Sequence, residues 1–175
     1  EIDVVEFMWN NSSTNSQWIQ MNLVNGNLSD GVWEANLDST ALADGEYTIT
    51  VRAIDKAGNV NTTSLNVLID NTPPDITIIT PTQGAVVYTG SDVNIRVQAN
   101  DSGVGIADGT ICNVYLDNAL VKNLTYNSTT NLCTGTISSN AVGTHDITIV
   151  ISDMLNNSGN ATVSIEVTNP PAGGG

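Results

Sequence analysis

Basic residues are the scarcest chemistry in this sequence: four Lys and Arg stand against 18 Asp and Glu in 175 residues, a formal net charge of −14. Lys and Arg neutralise phosphates, so their scarcity excludes electrostatic capture of nucleic acid or of an anionic membrane surface. Charged residues of both signs total 13% and aromatics 5%, the former about half the share usual in a soluble domain. There are one His and two Cys, and two cysteines make no metal site without His or carboxylate help. No run approaches the roughly 18 apolar residues that cross a bilayer, so no membrane span is expected. No Gly-rich phosphate loop or other cofactor fingerprint occurs, and no cofactor is expected from that source. The chain opens at Glu1 with neither an initiator Met nor a basic, apolar leader, which reads as a mature product or an excerpt.

Asn, Ser and Thr supply the polarity that charge does not. Nine N-x-[ST] triplets begin at Asn10, Asn11, Asn27, Asn61, Asn100, Asn123, Asn127, Asn156 and Asn160, where chance would give roughly five from this composition. They are the candidate N-glycosylation sites; the competing reading is that Asn and Thr populate turns and exposed strand positions. Cys112 and Cys133 lie in strand-like runs that a hairpin would set side by side. A disulfide there closes a loop of about 20 residues, contributes about 3 kcal/mol and implies oxidising surroundings. Sequons, the cysteine pair and the missing cofactor motifs together predict an extracellular, cell-surface location.

Short alternating runs rich in Val, Ile and Thr cover 46–55, 63–70, 75–81, 92–101, 145–153 and 161–169, separated by Gly, Asn, Asp and Pro. No segment of helical length carries a 3.6-residue apolar period, so the fold class expected is all-β. An internal repeat sharpens this. GEYTITVRAID from Gly45 aligns with GTHDITIVISD from Gly143, and 63–71 aligns with 161–169 at the same offset of 98 residues. Both copies end in Pro pairs, Pro73-Pro74 and Pro170-Pro171. A period of about 100 residues suits a β-sandwich of several short strands and is too long for solenoid or propeller repeats.

Residues 42–81, LADGEYTITVRAIDKAGNVNTTSLNVLIDNTPPDITIITP, resemble the last strands and linker of the immunoglobulin-like repeats of bacterial and archaeal cell-surface proteins, through their D-G-x-Y, D-x-A-G-N and D-N-T-P-P motifs. The resemblance implies two tandem immunoglobulin-like β-sandwiches: a partial domain over 1–71 (strands C to G), a complete domain over 72–169, and a flexible tail or linker over 170–175. The second copy departs from the motifs, with Gly143-Thr144-His145 for D-G-x-Y and Asp153-Met154-Leu155-Asn156-Asn157 for the hairpin. Aligning VVEFMW (4–9) on CNVYLD (112–117) leaves residues 75–109 without a counterpart before Glu1, so the first sandwich lacks its two N-terminal strands. Its open interior must be covered. Either a longer chain supplies the cover from preceding residues, the preferred reading, or a neighbouring subunit does so by strand complementation.

Few residues invite a chemical role. His145 occupies the repeat position of Tyr47, where sandwiches of this class place a corner residue that bonds back to the chain preceding it. No Ser, Cys or carboxylate has the context of an activated nucleophile, so no catalysis is expected. Lys56 and Lys122, candidates for an intramolecular cross-link, fall in or beside turns and read as solvated. A Ca²⁺ site at one end of the second sandwich would gather Asp70, Asp75, Asp101, Asp108 and Asp153, since Ca²⁺ takes six to eight oxygens; ordinary Asx-turn chemistry is the competing reading. Trp33 reads as core, while Trp18, in a polar stretch, could serve a sugar platform. The function expected is a non-enzymatic structural module of a prokaryotic layer, stalk or filament protein, archaeal by resemblance and sequon density. Its expected partners are neighbouring immunoglobulin-like domains or subunits of the same protein, and glycans. The alternatives are an adhesive or carbohydrate-binding module and an accessory domain of a secreted hydrolase.

Overall fold

The computed structural model describes residues 1–139 and 141–171 and divides into two compact units, 1–71 and 72–175. The tail expected over 170–175 lies outside the described residues from Ala172 onward.

Unit 1 contains β1 (Ile2–Asn10), β2 (Ile19–Gln20), β3 (Asn22–Gly26), β4 (Gly31–Glu34), a 3-10 turn (Ser39–Ala41), β5 (Gly45–Asp55) and β6 (Val60–Ile69). One sheet runs β2-β1-β5-β6, and β3 and β4 form a separate hairpin. Unit 2 contains β7 (Asp75–Thr80), β8 (Ala85–Tyr88), β9 (Asp92–Asn100), β10 (Ile111–Leu116), β11 (Ala119–Asn127), β12 (Leu132–Ser138), β13 (Gly143–Ser152) and β14 (Ser158–Thr168). Its strands follow the order β7-β9-β12-β11-β10-β13-β14-β8. Alternation explains why these segments are strands. In β9, Val93, Ile95, Val97 and Ala99 are buried while Asp92, Asn94, Arg96, Gln98 and Asn100 are exposed, the period-2 pattern of a sheet with one face in a core.

β11 passes between the two faces of unit 2, pairing with β10 along its length and with β12 at Tyr126 and Asn127. Cys112 on β10 and Cys133 on β12 form a disulfide. The two strands are therefore not neighbours in a hairpin, as the sequence suggested, because β11 runs between them in the strand order. The stretch 75–100, expected to provide two strands, runs as three. Pro81 and Gly84 (φ +73°) follow β7, and the chain resumes as β8, which pairs parallel with β14. Proline removes a ladder donor and glycine allows the turn.

The two units align from β1 and β10 onward, with β2 and β3 together in the place of β11. The register, however, sets Phe7 opposite Val51 and Val114 opposite Ile149, so Phe7 matches Val114. The sequence alignment of 4–9 on 112–117 was one residue out, which would have put Phe7 on the wrong face. Among the described residues unit 1 has no counterpart of β7, β8 and β9, and equivalent positions of the two units differ in exposure. Val163 on β14 is 6% exposed, whereas its repeat equivalent Leu65 on β6 is 55% exposed. Leu65 pairs with Ile49 as Val163 pairs with Ile147, so the two side chains share a position and a face. Among the described residues the core of unit 1 is Val5, Phe7, Tyr47 and Ile69, while unit 2 encloses a cluster that includes Ile76, Ile78, Ala85, Val87, Val93, Ile95 and Val97 from β7, β8 and β9.

Candidate functional site

The corner before the penultimate strand has one geometry in both units. Gly45 (φ +142°) and Gly143 (φ +134°) open β5 and β13. Two residues on, Tyr47 Oη donates to Ala43 O at 3.0 Å and His145 Nε2 donates to Ala141 O at 3.0 Å. His145 has a second bond, from Nδ1 to Asp117 Oδ2 at 2.6 Å. Both ring nitrogens thus face acceptors, an arrangement that only the doubly protonated imidazolium satisfies. The bond to Asp117 raises the His145 pKa above its ordinary value against a smaller opposing effect of burial, and the same bond lowers that of Asp117.

The final hairpins also coincide. Asp55 Oδ1 accepts from Ala57 N and Asn59 N at 2.8 and 2.9 Å, and its Oδ2 accepts from Asn59 Nδ2 at 2.8 Å. Asp153 repeats all three bonds with Leu155 N, Asn157 N and Asn157 Nδ2 at 2.7, 2.9 and 2.7 Å. The left-handed position is Gly58 (φ +83°) in one and Asn156 (φ +70°) in the other, the two residue types that tolerate it best.

The acidic residues expected to share a cation have different settings. One oxygen each of Asp101 and Asp153 lie within 4.8 Å of each other. The loops carrying them are tied by Met154 N donating to Gly105 O at 3.2 Å. Asp101 Oδ2 accepts from Gly103 N and Gly105 N, while its Oδ1 is buried with no hydrogen-bond partner among the described residues. Asp108 instead holds Ser128, accepting from its N and Oγ at 2.9 and 3.1 Å. Asp75 is exposed at the start of β7, and Asp70 is buried after the end of β6.

The tryptophans do not form a free platform. Trp9 meets Tyr47 edge to face at 5.6 Å, and Trp33 is half-buried on β4. Arg52 lies 4.0 Å over the Trp18 ring and bonds Glu6 at 2.6 Å. This trio was not legible in the sequence, because β2 and β5 are brought to opposite sides of β1. Lys56 is exposed and paired with Glu1, and Lys122 is exposed on β11. A polar hollow in unit 1 is lined by Asn10, Asn11, Glu46, Tyr47, Thr48 and Asn66. The sequons sort by setting. Asn11 and Asn27 head Asx turns in loops and Asn127 heads one from the end of β11, Asn61, Asn123 and Asn160 lie within paired strands, Asn10 and Asn100 end β1 and β9, and Asn156 takes the left-handed position of the last hairpin.

Residues 3–71 match the family described as Bacterial Ig-like domain, and residues 74–149 the family described as Bacterial Ig domain. Over 125 residues the chain is 33% identical to the serine-rich adhesin for platelets of Staphylococcus aureus, a match covering 71% of this chain but only 5% of that protein. Fibronectin(III)-like modules of Clostridium thermocellum CbhA superpose at a TM-score of 0.50 with 18% identity, covering 96% of this chain and 79% of that one. That likeness is one of fold.

Proposed function

The chain is a tandem of two bacterial immunoglobulin-like domains, and we propose that it acts as a non-enzymatic structural segment of a cell-surface stalk, layer or filament protein, with unit 1 completed by strands from outside residues 1–71. The observation that carries this reading is Leu65, 55% exposed where the equivalent Val163 is 6% exposed. Covering one such side chain stabilises by about 1 kcal/mol. The occupant we propose is the polypeptide preceding residue 1, because in unit 2 the segment immediately before β10 supplies β7, β8 and β9. Amide exchange tests it. In the monomeric chain β6 should exchange faster than β14, and in a longer parent polypeptide β6 should become protected. Equal protection of the two strands in the monomer overturns the reading; protection that appears only on self-association assigns the strands to a second copy.

An adhesive role is the second reading, favoured by the kinship with an adhesin and by the polar hollow around Asn10, Tyr47 and Asn66. Its test is glycan-array binding that is lost on Asn66→Ala; an array without signal refutes it. We also propose that Asp101 and Asp153 hold a divalent cation. Two carboxylates this close repel, and an ion between them would offset that repulsion; among the described residues Asp101 Oδ1 is buried without a hydrogen-bond partner. Calcium should release heat on mixing and raise the melting temperature of the wild type but not of Asp101→Asn. Neither effect in the wild type disposes of the site.

A further inference from the structure

We propose that Asn27 and Asn127 are the acceptors of N-linked glycans in the folded protein, and that the strand sequons Asn61, Asn123 and Asn160 are not. Nine sequons look alike in sequence, and the fold separates them. Asn27 Oδ1 accepts from Ser29 N and Asp30 N at 2.8 and 3.1 Å. Asn127 Oδ1 accepts from Thr129 N and Thr130 N, both at 3.0 Å. These are the same two bonds in residues 100 positions apart. Each sequon lies at the turn of the hairpin that precedes its unit's penultimate strand, β3–β4 before β5 and β11–β12 before β13. Both asparagines are exposed. The repeat thus carries an exposed sequon at the same turn twice, in stretches that otherwise differ, NLSDGVW against NSTTNLC.

The chemistry explains the selection. The carboxamide nitrogen Nδ2 attacks the anomeric carbon of an oligosaccharide carried on a lipid phosphate. A C–N bond forms, the C–O bond to the lipid phosphate breaks, the phosphate leaves with the electron pair, and the carboxamide gives up one proton to solvent water. The transferring enzyme must take the triplet into its own groove, which requires that the triplet's backbone be released from its present partners. Asn61, Asn123 and Asn160 are paired with Ala53, Asn113 and Val150 inside their ladders, and stripping a ladder leaves backbone donors and acceptors unpaired, whereas Asn127 pairs with Leu132 only at the last position of its ladder and Asn27 lies beyond the end of β3. At Asn27 and Asn127 the hydrogen bonds fall on Oδ1, which orients the carboxamide and leaves Nδ2 as the group presented to the donor. Asn11 shares the Asx turn but is half-buried and stands outside the proposal.

The test is transfer in vitro onto the folded chain, using a purified oligosaccharyltransferase that accepts plain N-x-[ST] triplets and its lipid-linked oligosaccharide, with occupancy mapped by peptide mass spectrometry. Occupancy at Asn27 and Asn127 should exceed that at Asn61, Asn123 and Asn160 at least tenfold. Reduction and denaturation before the reaction should erase the difference. Asn27→Asp and Asn127→Asp keep the accepting oxygen, and hence the turn, and should abolish transfer at those positions without changing the melting temperature. Equal occupancy on strands and turns, or no transfer at the two turns of the folded chain while the denatured chain is modified, overturns the proposal.

Discussion

Replacing Cys112 and Cys133 together by alanine removes the one covalent tie between the two faces of unit 2. The cysteines are 21 residues apart, and in the chain-entropy model a loop of that length restrains the unfolded state by about 3 kcal/mol at 25 °C. Both side chains are 0% exposed, so truncation also leaves small voids, each costing on the order of 0.5–1 kcal/mol where neighbours do not relax. Alanine is preferred to serine because a buried hydroxyl at either place would need a partner. The total is about 4–5 kcal/mol. In a domain of about 100 residues each kcal/mol moves the midpoint by about 4–8 °C, so the melting temperature of unit 2 should fall by about 16–40 °C. Calorimetry reads the shift, and tryptophan emission serves as an internal comparison, since Trp9, Trp18 and Trp33 all belong to unit 1. Reduced wild-type protein should reproduce most of the loss without the void component. A fall below about 5 °C in both would mean that the bridge does not restrain the unfolded chain, and the loop-closure reasoning would fail.

Tyr47→Phe deletes the bond to Ala43 O while keeping the buried ring, and should cost unit 1 about 1 kcal/mol, read by urea unfolding followed through tryptophan emission; an unchanged midpoint would show that the corner bond contributes nothing. The His145–Asp117 pair makes unit 2 pH-dependent in a defined sense. With the His145 pKa raised by Asp117 and secondarily by the bond to Ala141 O, its contribution is complete below the unfolded value of about 6.5 and is lost as pH rises through the folded value. The lowered Asp117 pKa adds stability above about 3.9 that is lost as pH falls through its folded value. Melting temperatures at pH 5.5 and 8.5 should therefore differ more in the wild type than in Asp117→Asn, and parallel profiles would refute the pairing. Gly159→Ala would place a Cβ 2.2 Å from Pro74 O, a contact with backbone that cannot yield cheaply. The loss should be about 1–3 kcal/mol, and a neutral substitution would mean that β7 gives way.

The strands and the repeat were legible because alternation is strict where one face is buried, as in residues 92–100, and because strand pairs at a constant offset of 98 residues reproduce one another. The register of β1 was not. Val4, Val5, Phe7, Met8 and Trp9 put apolar side chains on both faces, and with the covering strands absent only Val5 and Phe7 are buried. Parity therefore had nothing to anchor it. β8 escaped notice because it has only four residues and pairs parallel to β14, a contact across more than 75 positions that no local pattern announces. The acidic set was over-gathered for a related reason. Loop composition places Asp108 near Asp101, but Asp108 turns to Ser128 on the β11–β12 turn, and only the fold tells a shared end of a sandwich from a shared centre.

The comparison between units separates what folding requires from what is left over. Three features recur with the same bonds in both final hairpins: an Asp that accepts from the turn, an Asn that returns a side-chain bond, and a residue that tolerates positive φ. Folding accounts for all three. The positions between them do not recur: Lys56-Ala57 in unit 1 stands against Met154-Leu155 in unit 2, the latter 56% and 49% exposed. Because the backbone is the same, that contrast of a cation with two exposed apolar side chains is not demanded by the turn. The same holds at the corner, where Ala43 O and Ala141 O are reached by a neutral hydroxyl in one unit and by a titratable ring in the other. A ligand role common to both units therefore has no support in the recurring residues.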